Sequence, residues 1–234
     1  MKKIGLIVFA VCIVVGLAFA NFFNVGRVTS QLFNFKVDIG DRVSGSGNSV
    51  TEKRDVSGFN EVEVSGVFQV EIVAGKDFSV EVQADDNILP LVKTKVNGDT
   101  LQIELEQSVK PKSEMVVRIS APNIERVQSS GAANINASGI KNEEFSVDTS
   151  GASKINLSGE TAKLDIHVSG ASKVDAEQLS ASAVNIDSSG ASKIAVNATN
   201  EIRTEASGAS KITYTGDPKI VENQTSGASS ITKK

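Results

Sequence analysis

Four lysines stand at one fixed place in a repeated phrase. Lys154, Lys173, Lys193 and Lys211 each lie three residues after the glycine of a Ser-Gly-Ala-Ser segment. If like residues stack, their ammonium groups form a row at about 5 Å spacing on one outer face. Such a row repels itself unless an anion lies against it. One source of anion is internal. Asp148, His167, Asp187, Glu205 and Gln224, three residues before the glycines, make an acid-leaning row. The expectation on that side is a solvated face balanced by Asp148, Asp187 and Glu205. The other source is external, an anionic glycan or another component of an envelope surface. Lys154, Lys173, Lys193 and Lys211 are therefore the candidate ligand face.

Other reactive groups lead less far. His167 is the only histidine, and no second histidine or cysteine follows residue 12 to build a zinc site with it. Asp85 and Asp86 are adjacent carboxylates. Calcium would need further oxygen ligands, and Ala84-Asp85-Asp86-Asn87 also reads as a turn. Serine is abundant, but there is no Gly-x-Ser-x-Gly elbow, and near-identical serines with one histidine cannot each form a triad. A pair of carboxylates for glycoside chemistry is not singled out on the acidic strands. No catalytic, cofactor-binding or metal-binding residue is assigned. Net charge is −4, which argues against nucleic acid.

The elements that must position the lysines are the repeats themselves. Ser-Gly-Ala recurs at Gly131, Gly151, Gly170, Gly190, Gly208 and Gly227, in steps of 20, 19, 20, 18 and 19 residues. A fixed period of this size marks a solenoid. Four residues after the glycine stand Ile135, Ile155, Val174, Ile194, Ile212 and Ile231. Six before it stand Phe145, Leu164, Val184, Ile202 and Val221, and four before it Val127, Val147, Ile166, Ile186, Thr204 and Asn223. Each coil thus has at least two short inward-facing strands flanking a corner. A glycine there fits a positive φ or a close backbone approach, and the serine before it is expected to form a hydroxyl ladder. The fold class is all-β: a β-helix with coils of about 19 residues.

Upstream, period-two alternation runs from Phe59. Val62/Val64, Phe68/Val70/Ile72, Val80/Val82, Leu101/Ile103/Leu105 and Met115/Val117/Ile119 alternate with polar residues. Ile88 to Val96 contains Pro90 and reads as an irregular or briefly helical excursion. Aromatic residues make up only 5% and tryptophan is absent, which suits a narrow core of stacked aliphatic side chains. At the start, Met1-Lys2-Lys3 precedes the apolar run Ile4 to Ala20, and Ala18-Phe19-Ala20 fits a cleavage site. The expected organisation is a signal peptide or membrane anchor over 1–20, a linker over 21–54 and a solenoid over 55–234. Export follows from either reading of the first segment, with the periplasm or cell surface as destination. Cys12 is the only cysteine and follows Val11, where a lipoprotein site needs a small residue.

Ser65-Gly66-Val67-Phe68-Gln69-Val70, Asn87-Ile88-Leu89-Pro90-Leu91-Val92, Leu101-Gln102-Ile103, Ala121-Pro122-Asn123-Ile124 and the serial Ser-Gly-Ala segments carry a resemblance. They resemble a bacterial family of unknown function labelled as a putative autotransporter adhesin head domain, or head GIN domain. The resemblance covers about residues 57–215. It implies a β-solenoid on an exported chain and carries no catalytic or binding residue. No strand series of the kind an outer-membrane barrel needs follows the last repeat, so a head domain without a barrel is expected. Two functions compete: a non-catalytic binding, adhesion or structural module, and a carbohydrate-active β-helix enzyme. Uniform repeats with short turns favour the first, because a catalytic groove needs irregular residues that break the pattern.

Overall fold

The corner glycines set the architecture. In the computed structural model, which describes residues 42–234, the carbonyl oxygen of each corner glycine stands where a Cβ on the next one would be. A Cβ on Gly170, whose φ is 140°, would lie 2.5 Å from the Gly151 oxygen. No residue with a side chain fits there without moving a neighbouring backbone. The ladder continues one step further than the period shows. A Cβ on Gly131 would collide with the Gly66 carbonyl, so Ser65-Gly66 is a seventh corner.

Between corners, one long strand makes one coil. These are β11 (Asn134–Thr149), β12 (Lys154–Gly170), β13 (Lys173–Gly190) and β14 (Lys193–Gly208), following the short strands β1 to β10 placed below. Each pairs in parallel with the next, in register on both sides of the corner. Register shifts fall between Ala137 and Ile140, Asn156 and Ser158, and Ala176 and Ser180, marking a short third side. The inward rows are continuous. Ile135, Ile155, Val174, Ile194 and Ile212 are fully buried, as are Phe145, Leu164, Val184 and Ile202. Each such side chain contributes roughly 1.5–3 kcal/mol by leaving water. The stack closes with β15 (Lys211–Thr215) and β17 (Ser230–Lys233) on the side after the corner, and β16 (Ile220–Thr225) on the side before it.

At the other end, chain order and stacking order part. The first coil is β3 (Glu61–Val64), the corner at Gly66 and β4 (Gln69–Ala74). The chain then leaves the stack through β5 (Ser79–Asp85), a 3-10 turn at Leu89–Leu91 and β6 (Val92–Asn97). It returns as β7 (Thr100–Leu105) and β9 (Val116–Ala121), an outer coil lying against β3 and β4. It then crosses to β10 (Arg126–Ser129), which pairs with the opposite edge of β3. So β3 and β4 are sandwiched between later segments. β5 runs antiparallel to β9, and β6 antiparallel to β7, and they close this end. The excursion expected over 88–96 is briefly helical at Leu89–Leu91, but from Val92 onward it is a strand.

The linker expected over 21–54 also needs correction in its described part. β2 (Ser49–Arg54) pairs antiparallel with β5, and β1 (Val43–Ser44) pairs with β8 (Val109–Lys110). The segment expected over 1–20 and residues 21–41 lie outside the described residues. Three consecutive side chains pin the strand entry. Asn87 accepts from Ser46 N–H at 2.8 Å and donates to the Ser44 carbonyl. Asp86 accepts from Ser46 Oγ at 2.6 Å and Asn48 Nδ2 at 2.9 Å. Asp85 has no exposed surface and accepts from the N–H groups of Gly47 and Lys112 and from Ser113 Oγ, at 3.0, 2.8 and 2.7 Å. Both carboxylates thus serve as acceptors for backbone and side-chain donors, a different use from calcium ligation.

Burial by itself raises the Asp85 pKa. The hydrogen bonds from Lys112, Ser113 and Gly47 outweigh it, so the carboxyl titrates below its ordinary value. A depressed carboxyl stabilises the fold above the unfolded-state pKa of ~3.9 and loses that contribution as pH falls through the lower folded value. Asp85→Asn should lower the melting temperature at pH 7. Its melting temperature should also fall less steeply than that of wild type below about pH 4, as thermal unfolding across a pH series will show.

Ser172 carries a second test. Its hydroxyl, buried beneath the corner, donates to the Gly151 carbonyl at 3.0 Å and accepts from Ser153 N–H at 3.1 Å. Ser172→Ala orphans a buried N–H, and denaturant titration should show a loss of roughly 1–3 kcal/mol. An unchanged midpoint would mean that the hydroxyl row contributes nothing to the stack.

Candidate functional site

Lys154, Lys173, Lys193 and Lys211 stand directly opposite one another in consecutive strands, so the row inferred from spacing exists. Parallel pairing places their Cα atoms about 4.8 Å apart. The row continues into Asn134 and Gln69 at one end and Ser230 at the other. Lys154, Lys193 and Lys211 are exposed. Lys173 is half-buried and lies 3.6 Å from Asp175 on its own strand. Among the described residues this is the only ion pair that any of the four lysines makes. Beside the row runs a column of short side chains, Asn136, Asn156, Asp175, Ala195 and Thr213. The flank is thus low and even, with cations rising along one line.

The acid-leaning row is equally well formed but does not balance the lysines. Asp148, His167, Asp187, Glu205 and Gln224 are in register on the side before the corner, whereas the lysines occupy the side after it. Asp148 turns to Arg126 at 3.5 Å. Two residues before a corner and two after it point inward beneath it, so the outward groups at three before and three after are held apart by the corner. The expected mutual neutralisation is therefore absent among the described residues. Asp148, His167 and Asp187 of the acid row instead line a shallow groove of about 300 Å³ together with Ser130, Ser150, Ser169 and Ser189. His167 lies in this groove between Asp148 and Asp187.

The hydroxyl ladder also lies mostly elsewhere than expected, since of the serines before the glycines only Ser65 and Ser130 meet among the described residues, at 2.8 Å. The serines before the glycines, Ser150, Ser169, Ser189 and Ser207, are exposed. The buried row is two residues after the glycine: Ser153, Ser172, Ser192 and Ser210, each donating to the glycine carbonyl of the preceding coil. Where the residue two before the preceding glycine is hydroxylic, it joins in. Ser129 meets Ser153 at 2.7 Å, Thr149 meets Ser172 at 3.0 Å and Ser188 meets Ser210 at 2.8 Å. Where that residue is Val168, Ser192 has only the carbonyl. A signal for this was available, since Ser153, Ser172, Ser192, Ser210 and Ser229 recur as faithfully as the outer serines.

The outer serines and the alanines Ala152, Ala171, Ala191 and Ala209 form an exposed ridge of small side chains. The site that emerges is this narrow ridge with a cationic flank on one side and a carboxylate-and-hydroxyl groove on the other. It offers repeated, equivalent contacts along the solenoid axis rather than one convergent centre.

Comparison with known proteins places the architecture. The crystal structure of a putative adhesin from Bacteroides fragilis superposes with a TM-score of 0.67 at 22% identity, covering 82% of this chain and all of the other. A putative adhesin from Parabacteroides merdae gives 0.53 at 18% identity, over 83% of this chain and all of the other. A putative lipid binding protein from Parabacteroides distasonis gives 0.50 at 21%, again over 83% and the whole of the other chain. These likenesses establish the fold. No curated protein matches the chain. The model of one family matches residues 58–218, from the corner-bearing first coil nearly to the last, and the chain belongs to that family, the putative auto-transporter adhesin, head GIN domain.

Proposed function

We propose that this chain is an exported, non-catalytic binding module of the cell envelope, and that the flank bearing Lys154, Lys173, Lys193 and Lys211 is its contact surface for an anionic polymer. The observation that carries the reading is the row itself. Four ammonium groups are aligned by the backbone, three of them without an ion-pair partner among the described residues. The fold asks only for a polar residue at that place, as Asn134 and Ser230 demonstrate. An anion bearing regularly spaced charges relieves the repulsion along the whole row at once. Three of the contacts are exposed and the fourth, at Lys173, is half-buried, so each is weak and affinity arises from several made together. Membership of a family described as putative adhesins supports a binding role over a catalytic one, as do the equivalent contacts repeated along the stack.

Export rests on the basic start and apolar run of the first twenty residues. The chain should fractionate with the envelope or the extracytoplasmic space, and deletion of residues 1–20 should hold it in the cytoplasm. A mature amino terminus at Asn21 would identify a cleaved signal, and an intact Met1 in membranes an anchor. Cytoplasmic wild-type protein would overturn the localisation.

Replacing all four lysines by Gln should leave the fold unchanged and reduce retention on anionic polysaccharide by about 10²-fold or more. Wild-type binding should weaken as salt rises, since exposed charges are screened within about 8 Å at physiological ionic strength. Anionic lipid vesicles, tested in parallel, distinguish a polymer from a headgroup surface. Equal retention of wild type and quadruple variant would show that the row is a solvated face.

A further inference from the structure

One lysine of the row differs from the other three. Lys173 Nζ lies 3.6 Å from a carboxylate oxygen of Asp175, two residues on along β13, and both side chains are partly covered. The other oxygen of Asp175 accepts from Glu177 N–H at 3.5 Å, which holds the carboxylate beside the row. Asp175 is the single acid in its column. Its equivalents in the neighbouring coils are Asn136, Asn156, Ala195 and Thr213, all neutral. The repeat therefore does not call for a carboxylate at this place, yet one stands beside one of four aligned cations.

The pair changes the pattern of charge that the flank presents. In stacking order the row reads Lys154, a neutralised Lys173, Lys193 and Lys211. Adjacent strands lie about 4.8 Å apart, so Lys154 and Lys193 are about twice that distance apart, with a neutral step between them. A polyanion charged at every step puts one of its charges over the pair, where Asp175 repels it. A polyanion charged at every second step spans Lys154 and Lys193 and lays an uncharged unit over Lys173 and Asp175. Lys211, one step beyond, attracts either polymer alike. Resting on the reading of this flank as the contact surface, we infer that Asp175 is a specificity-determining residue, and that the ligand is an extended polyanion charged on every second unit, such as a glycan in which a uronate alternates with a neutral sugar. An extended sugar unit is about as long as the strand spacing, so such a glycan lying along the solenoid axis keeps step with the coils. Lysine suits this contact, because its ammonium is a point charge on a flexible stem and needs no fixed fork geometry. The selection comes from a like charge placed against the wrong ligand.

The experiment measures retention of the full chain on immobilised hyaluronan, which has a carboxylate on every second sugar, and on polygalacturonate, which has one on every sugar. At equal carboxylate density wild type should favour hyaluronan. Asp175→Asn frees Lys173 and removes the repulsion, so retention on polygalacturonate should rise about fivefold and that on hyaluronan by about twofold or less. The gain on polygalacturonate should shrink as salt rises. Asp175→Ala, which copies Ala195 of the same column, should behave like Asp175→Asn. Adding Lys173→Gln to Asp175→Asn should return polygalacturonate retention to near the wild-type value. An unchanged ratio between the two polymers in both Asp175 variants would overturn the inference, and so would an equal rise on both, which would mean a response to net charge alone. The variant with all four lysines replaced by Gln separates this failure from that of the contact surface. If it loses retention while the Asp175 variants leave the ratio unchanged, the flank binds without selecting. If it is retained as wild type is, or wild type is retained on neither polymer, the contact surface falls and this inference falls with it.

Discussion

The whole molecule depends on how closely one coil's backbone approaches the next at the Ser-Gly corner. Ala171 N–H bonds to the Gly151 carbonyl at 3.0 Å, Ala191 N–H to Gly170 at 2.9 Å and Ala209 N–H to Gly190 at 2.8 Å. Those bonds require the next glycine to have no side chain, and they lock the register of everything on either side. A slip of one residue would turn Ile155 outward and Lys154 inward. The repeat length varies between 18 and 20, and the variation is absorbed at the short third side, where the register shifts fall. The corner itself never shifts.

Stacking like on like suits some side chains and not others. Aliphatic rows bury one another. Hydroxyls are both donors and acceptors, so Ser153, Ser172 and Ser210 complete one coil's backbone and pair with a hydroxyl of the coil before. An amide does the same on the surface, as Asn156 shows. A lysine has only donors and a fixed charge. The lysine row is thus a row that the stack aligns but, Lys173 apart, does not satisfy from within itself among the described residues. That asymmetry, rather than any special reactivity, is what the proposed contact surface rests on.

The closed end obeys a different economy. Instead of repeating, the chain covers its first coil with an outer one and seals it with antiparallel strands. Asp85 is the centre of that seal. A Cβ on Gly45 would strike its carboxylate, and its oxygens collect donors from Gly47 and from the adjacent Lys112 and Ser113, two places far apart in the chain. A buried carboxylate is tolerated because backbone N–H groups, which would otherwise be unpaired, surround it.

The period of the Ser-Gly-Ala segments and the alternation of aliphatic and polar residues by themselves determined the solenoid, its inward rows and the alignment of Lys154, Lys173, Lys193 and Lys211. These are local regularities, and parallel in-register pairing converts equal sequence position directly into equal place on the surface. Only the tertiary structure decided three other matters. Gly66 joins the corner ladder although 65 residues separate its neighbour Ser65 from Ser130, the serine it stacks on. Such an excursion breaks any period, because the intervening strands stack outside the first coil rather than after it. Asp148, Asp187 and Glu205 are parted from the lysines because the corner folds between them, a separation that six residues of sequence do not express. The Gly-Ser stretch after Gly40 carries strands, because Asp85, Asp86 and Asn87 supply from a distant turn the hydrogen bonds that its own composition does not specify.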